Sequence, residues 1–344
     1  MTHLLRRSMF WTALFVAPVP VGASPTEATP PPPAPVHAEP PAAREMASEI
    51  VPFIQPFDLD ATRRMSVQVT IGGQGPFAFL VDTGAERTVI ARELATRLGL
   101  VEGARLRMAT IGGSATVPSF RVAALQMSNL HLAAVDAPAF HGRHIGAAGL
   151  IGVDMLEERR VLIDFRKERM EIRETRRRAP PIINDDDAII VTARNSAGRL
   201  ILSDARLSGR RIDVIVDTGA QTSVGNLALQ KLVTERRANR FPFVATELTA
   251  VTGEDVPALR TTIKRIVING MDVNDLNVSF ADSQAFRVLG LSERPALLLG
   301  MDALSLFDRI EIDFPNKRVV FDLPDAAQRP TVPRFAANIA GDGG

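Results

Sequence analysis

The sequence predicts an all-β protein made of two related lobes, and three observations carry that prediction. First, the chain repeats itself in order. Phe79-Leu80-Val81-Asp82-Thr83-Gly84-Ala85 returns as Val214-Ile215-Val216-Asp217-Thr218-Gly219-Ala220. Leu150-Ile151-Gly152-Val153-Asp154 returns as Leu298-Leu299-Gly300-Met301-Asp302, and Ile163-Asp164-Phe165 as Ile312-Asp313-Phe314. Second, apolar and polar residues alternate with a period of two, as in Ser66-Val67-Gln68-Val69-Thr70, the signature of a half-buried strand. Third, glycine-centred turns separate such runs, at 72–76, at Ile111-Gly112-Gly113 and at Val251-Thr252-Gly253.

The elements follow in chain order. Arg6 and Arg7 precede an apolar stretch that ends in Val21-Gly22-Ala23, so residues 1–23 read as a cleavable signal peptide. The stretch falls short of the ~20 residues of a membrane span and is broken by Pro18 and Pro20. A periplasmic or secreted protein is predicted, with no stable membrane insertion once the leader is cut; an uncut leader acting as an anchor is the alternative. Residues 24–50, with four consecutive prolines at 30–33, read as a disordered linker. The first lobe is predicted over 51–175, with a strand at 77–81 that ends on Asp82 and a short helix over 91–98 stopped by Gly99. Residues 176–187, with Arg176-Arg177-Arg178 and Pro180-Pro181, form a linker. The second lobe runs over 188–326 with a helix at 227–233, and 327–344 is a flexible tail.

Composition removes several classes of function. Forty basic residues against 39 acidic ones leave a net charge of +1, so the basic excess of a nucleic-acid binder is missing. The absence of cysteine excludes disulfides, thiol catalysis and thiolate-bound zinc. His141 and His144 stand in a polar loop without a third ligand, and no metal or cofactor is predicted. Asp154 and Asp302 stand at the start of short helical turns and read as N-caps.

The repeated Asp-Thr-Gly carries the chemistry. An aspartate at the end of an apolar strand sits where burial and neighbours tune its proton. Threonine offers a hydroxyl to tie down the turn, and glycine lets backbone come close. Two such turns about a pseudo-twofold axis place two carboxylates side by side. Like charges ~3 Å apart cannot both ionise, so the pair holds one proton between them.

Asp82-Thr83-Gly84-Ala85-Glu86-Arg87-Thr88-Val89-Ile90 and Asp217-Thr218-Gly219-Ala220-Gln221-Thr222-Ser223-Val224 resemble the active-site segment of the retropepsin-like aspartic proteases. Leu150-Ile151-Gly152 and Leu298-Leu299-Gly300 resemble the strand that passes beside it in that family. The resemblance implies two β-barrel lobes in tandem, related by a pseudo-twofold axis, with the site at their interface. It implies an aspartic endopeptidase that cuts extended polypeptide segments by activating a water between Asp82 and Asp217; a catalytically silent peptide-binding module is the alternative. Thr83, Gly84, Ala85, Thr218, Gly219 and Ala220 would support the dyad, the threonines by hydrogen bonds across the interface and the glycines by carbonyls presented to substrate. Glu86, Ile111, Gly112, Gly113, Gln221 and Gly253 would bind substrate or form flaps, with Val89, Ile90 and Val251 also as apolar walls. The implied partner is a protein or peptide substrate, and the short linker favours a monomer with its lobes paired within one chain.

Overall fold

The period-two alternation folds into strands because one face of each run can be buried only against another β layer. The computed structural model describes residues 64–127, 130–132, 134–183, 188–196 and 198–324, together with the strand pairing of 15–16, 53–56 and 58–59. The rest of the predicted leader, the predicted linker at 24–50 and the predicted tail at 327–344 lie outside the described residues. Phe15–Val16 pairs with Met108 and Ala109. No helix among the described residues is long and apolar enough to cross a membrane.

The two lobes share one plan. In the first, Met65–Ile71 and Gln74–Val81 form an antiparallel hairpin, and Gly149–Ile151 lies parallel to Gln74–Val81 with Leu150 opposite Leu80. The same short strand runs antiparallel to Val89–Ala91. In the second, Arg199–Leu207 and Arg210–Val216 form the hairpin, Ala296–Leu299 lies parallel to Arg210–Val216 with Leu298 opposite Ile215, and it runs antiparallel to Ser223–Gly225. The result is two curled, mostly β lobes related by a pseudo-twofold axis. The first helix is Arg92–Arg97 and its counterpart Leu227–Glu235. The second lobe is larger because its first helix is longer, 9 residues against 6, and because the connection at 281–295, with its helix Gln284–Val288, is longer than the equivalent one at 141–148, with its helix Gly142–Ile145.

The lobes meet through a six-stranded antiparallel layer ordered 53–56, 169–174, 159–164, 309–313, 318–322 and 189–196. Its middle pair, Arg159–Asp164 with Arg309–Asp313, carries the local twofold: Arg160 faces Asp313, Leu162 faces Glu311, and Asp164 faces Arg309. Glu311 and Asp313 are fully buried. Arg160 reaches Asp313 at 3.0 Å and Glu311 at 3.4 Å, and Arg318 reaches Asp313 at 2.7 Å. A one-residue slip would strand these charges in the interior, at a cost that fixes the register between lobes. Glu311 also accepts the N–H groups of Ile182 and Ile183 at 2.7 and 3.0 Å. The crossing chain is thereby tied down with Ile183 buried, whereas Arg176, Arg177 and Arg178 stay exposed.

Candidate active site

Each Asp-Thr-Gly turn leaves its strand at the point where the neighbouring parallel strand can receive it: Asp82 N–H donates to Ile151 O and Asp217 N–H to Leu299 O, both at 3.0 Å. The turns then fold back on their own carboxylates. Asp82 Oδ1 accepts the N–H groups of Gly84 and Ala85 at 2.8 and 2.9 Å, and Asp217 Oδ1 those of Gly219 and Ala220 at 3.0 Å each. Rotamer freedom is removed from both carboxyls, which lie almost fully out of solvent at 3% and 0% exposure.

The threonines lock the turns to each other. Thr83 Oγ1 donates to Val216 O at 2.9 Å and accepts the Thr218 N–H at 3.2 Å. Thr218 Oγ1 donates to Val81 O at 2.7 Å and accepts the Thr83 N–H at 3.1 Å. Glycine is required beside them because the carboxyls cross over: a Cβ on Gly84 would overlap the Asp217 carboxyl, and one on Gly219 would overlap that of Asp82. Ala85 and Ala220 are fully buried.

Burial pushes both carboxyls above the ordinary aspartate value. Asp217 is pushed well above it, because the charge of Asp82 adds to the effect of burial. For Asp82 the rise is opposed by the N–H groups of Gly84 and Ala85 and then by the charge of Arg199. The two carboxyls therefore hold one proton between them. Asp217 Oδ2 is buried and makes no hydrogen bond among the described residues.

Arg199, which the motifs did not reveal, is part of this site. It begins the second lobe's hairpin, is fully buried, and sends its Nε into the first lobe to donate to Gly84 O at 2.7 Å. The carbonyl expected to face substrate thus has a protein donor. Burial lowers the guanidinium to about 10, and the charges of Glu86, Asp82 and Asp217 resist that fall in this order. A signal was present in the sequence: Arg64 precedes Asp82 by the same number of residues as Arg199 precedes Asp217. Arg64 is also buried, but it donates to Ile145 O at 3.3 Å within its own lobe. Gln221, which replaces Glu86 in the second copy, holds a buried Oε1 that no described group satisfies, and the same is true of Thr222 Oγ1 and Thr252 Oγ1.

The turn residues Ile111, Gly112 and Gly113 lie at the tip of the hairpin Leu106–Thr110 with Gly113–Val117. Gly253 lies in the turn between Val244–Thr249 and Asp255–Ile268. The two tips meet: a Cβ on Gly112 would sit 3.0 Å from Glu254 Oε2 and 3.2 Å from the Ala250 Cβ. Ile111 is buried among second-lobe side chains, including Ile215, Leu248, Phe286 and Leu298. Gly253, at φ +90°, lies so close to the His144 ring that any Cβ would overlap it. The second tip thus rests on the first lobe. His144 is lowered by burial and then by the charges of Arg143 and His141. Val89, Ile90 and Val251 belong to the main apolar core. No group of three or more metal-ligating side chains occurs among the described residues.

Asp154 and Asp302 are not helix caps. The caps at those turns are Gly152 and Gly300, without side-chain bonds. The carboxylates instead reach across to the chain after each Asp-Thr-Gly. Asp154 accepts from Thr88 N–H and Oγ1, both at 2.8 Å, and Asp302 from Ser223 N–H at 3.1 Å and Ser223 Oγ at 2.8 Å. They fix the segment that carries the dyad against the Leu-Gly strand.

Two interlocked Asp-Thr-Gly turns between two β lobes define an aspartyl-protease-like module. The chain belongs to the family described as gag-polyprotein putative aspartyl protease, whose profile matches residues 67–158 and 203–306, one stretch in each lobe. No curated protein matches the chain.

Proposed function

We propose that this chain is an aspartic endopeptidase whose single catalytic pair, Asp82 and Asp217, hydrolyses peptide bonds in extended polypeptide segments. The observation that carries the reading is the meeting of two buried carboxyls that cross over each other's turns and are locked together by Thr83 and Thr218. Each accepts two turn N–H groups, both are raised by burial, and the charge of Arg199 favours the ionised form of both. In this reading Asp82 takes a proton from a water lying between the carboxyls, and the water oxygen attacks the substrate carbonyl. Asp217 donates its proton to that carbonyl oxygen as it becomes tetrahedral. The proton gained by Asp82 then passes to the departing amide nitrogen, and as the C–N bond breaks one hydroxyl of the tetrahedral diol returns its proton to Asp217, leaving a carboxylic acid product and the pair in its starting state. The two hairpin tips would close over the pair, exclude water and bind an extended chain.

Both alanines that follow the Asp-Thr-Gly lack a hydroxyl that would favour the charged carboxyl, so a weakly acidic optimum is expected. The leader at 1–23 supports action outside the cytoplasm, and the short crossing segment supports a monomer. The test is peptide-library cleavage by the purified mature chain, with and without a statine-type inhibitor. Inhibitor-sensitive cleavage of internal bonds, fastest at weakly acid pH, is expected. Tight inhibitor binding without turnover would convert the reading into a silent peptide-binding module.

A further inference from the structure

A concavity of about 1090 Å³ opens on the second lobe, and neither Asp82, Asp217 nor the flap turns line it. Three segments remote in sequence build it: the turn between the Arg199–Leu207 and Arg210–Val216 strands, the helix Leu227–Glu235, and the stretch 281–295 with its helix Gln284–Val288. Arg206, Arg210, Arg211, Lys231, Arg236 and Arg287 line it, against three acidic side chains. On a chain with 40 basic and 39 acidic residues that is a local excess of positive charge. Two of the cations are accounted for: Arg287 pairs with Asp282, and Lys231 lies 3.9 Å from Glu235. The Arg206 side chain donates to Gly209 O at 3.3 Å, and neither it nor Arg210, Arg211 or Arg236 has an acidic partner among the described residues.

Guanidiniums crowded on a concave wall repel one another and focus a positive potential that attracts carboxylates, which they bind in bidentate fashion. The groove also has apolar surface. Leu227 at its edge is 49% exposed, and Leu232 and Phe286 contribute to its wall. A ligand with carboxylates and aliphatic side chains matches both features. The curvature suits a chain better than the flat face of a bilayer. Asp282, Glu235 and Glu293, set among the arginines, oppose the unbroken phosphate line of a nucleic acid. We propose that this groove docks an acidic segment of a polypeptide, at a place separate from the dyad. The claim concerns binding and stands whether or not the dyad turns over.

The experiment uses the full chain with Asp82→Asn, which removes cleavage from the readout, and a fluorescein-labelled peptide of alternating glutamate and leucine. Saturable anisotropy that weakens with salt is expected. Arg206→Glu/Arg211→Glu/Arg236→Glu should weaken binding about tenfold or more with an unchanged circular dichroism spectrum. Should that variant misfold, Arg211→Gln/Arg236→Gln reports the same loss on a milder scale. A control of equal charge change outside the groove, Arg176→Glu/Arg177→Glu/Lys264→Glu, should leave affinity in place. Equal weakening in the control would mean that net charge alone attracts the peptide, and the proposal would fall. It would fall equally if anionic phosphatidylglycerol vesicles or duplex DNA displaced the peptide at comparable charge concentration, or if the glutamate–leucine peptide did not bind.

Discussion

The first Asp-Thr-Gly-Ala is followed by Glu86 and the second by Gln221, and this difference spreads outward. On the Glu86 side a fully buried arginine from the opposite lobe, Arg199, grips the turn through Gly84 O and places its charge near the dyad. On the Gln221 side the corresponding Arg64 donates to Ile145 O in its own lobe, and Gln221 Oε1 is buried without a hydrogen-bond partner among the described residues. Two turns with the same backbone bonds to their carboxylates therefore sit in unlike electrostatic surroundings. A symmetric pair of identical lobes would have to choose by chance which carboxyl holds the proton. Duplication within one chain lets the sequence make the two surroundings differ.

The largest expected effect breaks the comparison outright. If the two turns form one site within one chain, Asp82→Asn and Asp217→Asn each lower peptide cleavage by about 10³-fold or more while the thermal unfolding midpoint stays close to that of the parent. Specific activity stays constant on dilution. If instead each lobe pairs with its twin in a second molecule, one mutant retains a complete site. Substantial activity in either single variant, or activity that falls on dilution, would overturn the intramolecular pair.

A smaller effect separates the two arginines. Arg199→Met removes a cation that favours the charged carboxylates, so the apparent pKa of the pair rises and the acid limb of the pH–rate profile moves to higher pH. The turnover number should fall about tenfold to a hundredfold as the Gly84 turn loses its cross-lobe bond, with less change in KM. Arg199→Lys keeps a cation and should hold the acid limb near its original place. Arg64→Met should not move the limb. A shift of equal size in Arg64→Met would show that the two sides are electrostatically alike.

Much of this was readable in the chain, and the unread part has a physical reason. The carboxylates, threonines and glycines of the site are neighbours in sequence, because one tight turn delivers all three, and repetition announced the second lobe. Arg199 acts on the other lobe's backbone, a contact made by folding, and only its matched spacing with Arg64 hinted at it. Asp154 and Asp302 were misread because a carboxylate at the start of a helical turn fits an N-cap equally well. What decided against capping is the antiparallel pairing of Ser223–Gly225 with Ala296–Leu299, and of its first-lobe equivalent, which brings Ser223 and Thr88 within reach of those carboxylates. The flap turns were legible as glycine hairpins, but the seating of Gly253 on His144 joins loops from different lobes, and no local pattern encodes it.

The smallest effect compares those two carboxylates. Burial raises Asp302 to about 6, the bonds from Ser223 opposing the rise, and it raises Asp154 against the bonds from Thr88. A carboxyl whose folded value lies above its unfolded one contributes stability that is complete below the unfolded value near 3.8 and is lost as pH climbs through about 6. At neutral pH Asp302 is ionised in both states, and the folded state carries the cost of a buried charge. Asparagine keeps the shape without that charge: its amide oxygen can take the Ser223 N–H, and its amide N–H can donate to Ser223 Oγ. Asp302→Asn should therefore raise unfolding stability at pH 7, with a ceiling of about 3 kcal/mol for a shift of this size, and the gain should vanish by about pH 4. Asp154→Asn should act in the same direction in the first lobe. Urea unfolding of both variants at the two pH values makes the measurement. A loss of stability in Asp302→Asn at pH 7 would show that the charged form is the one the Ser223 bonds were built to hold, and that the second lobe's Leu-Gly strand is fixed by an ionic anchor instead of a neutral one.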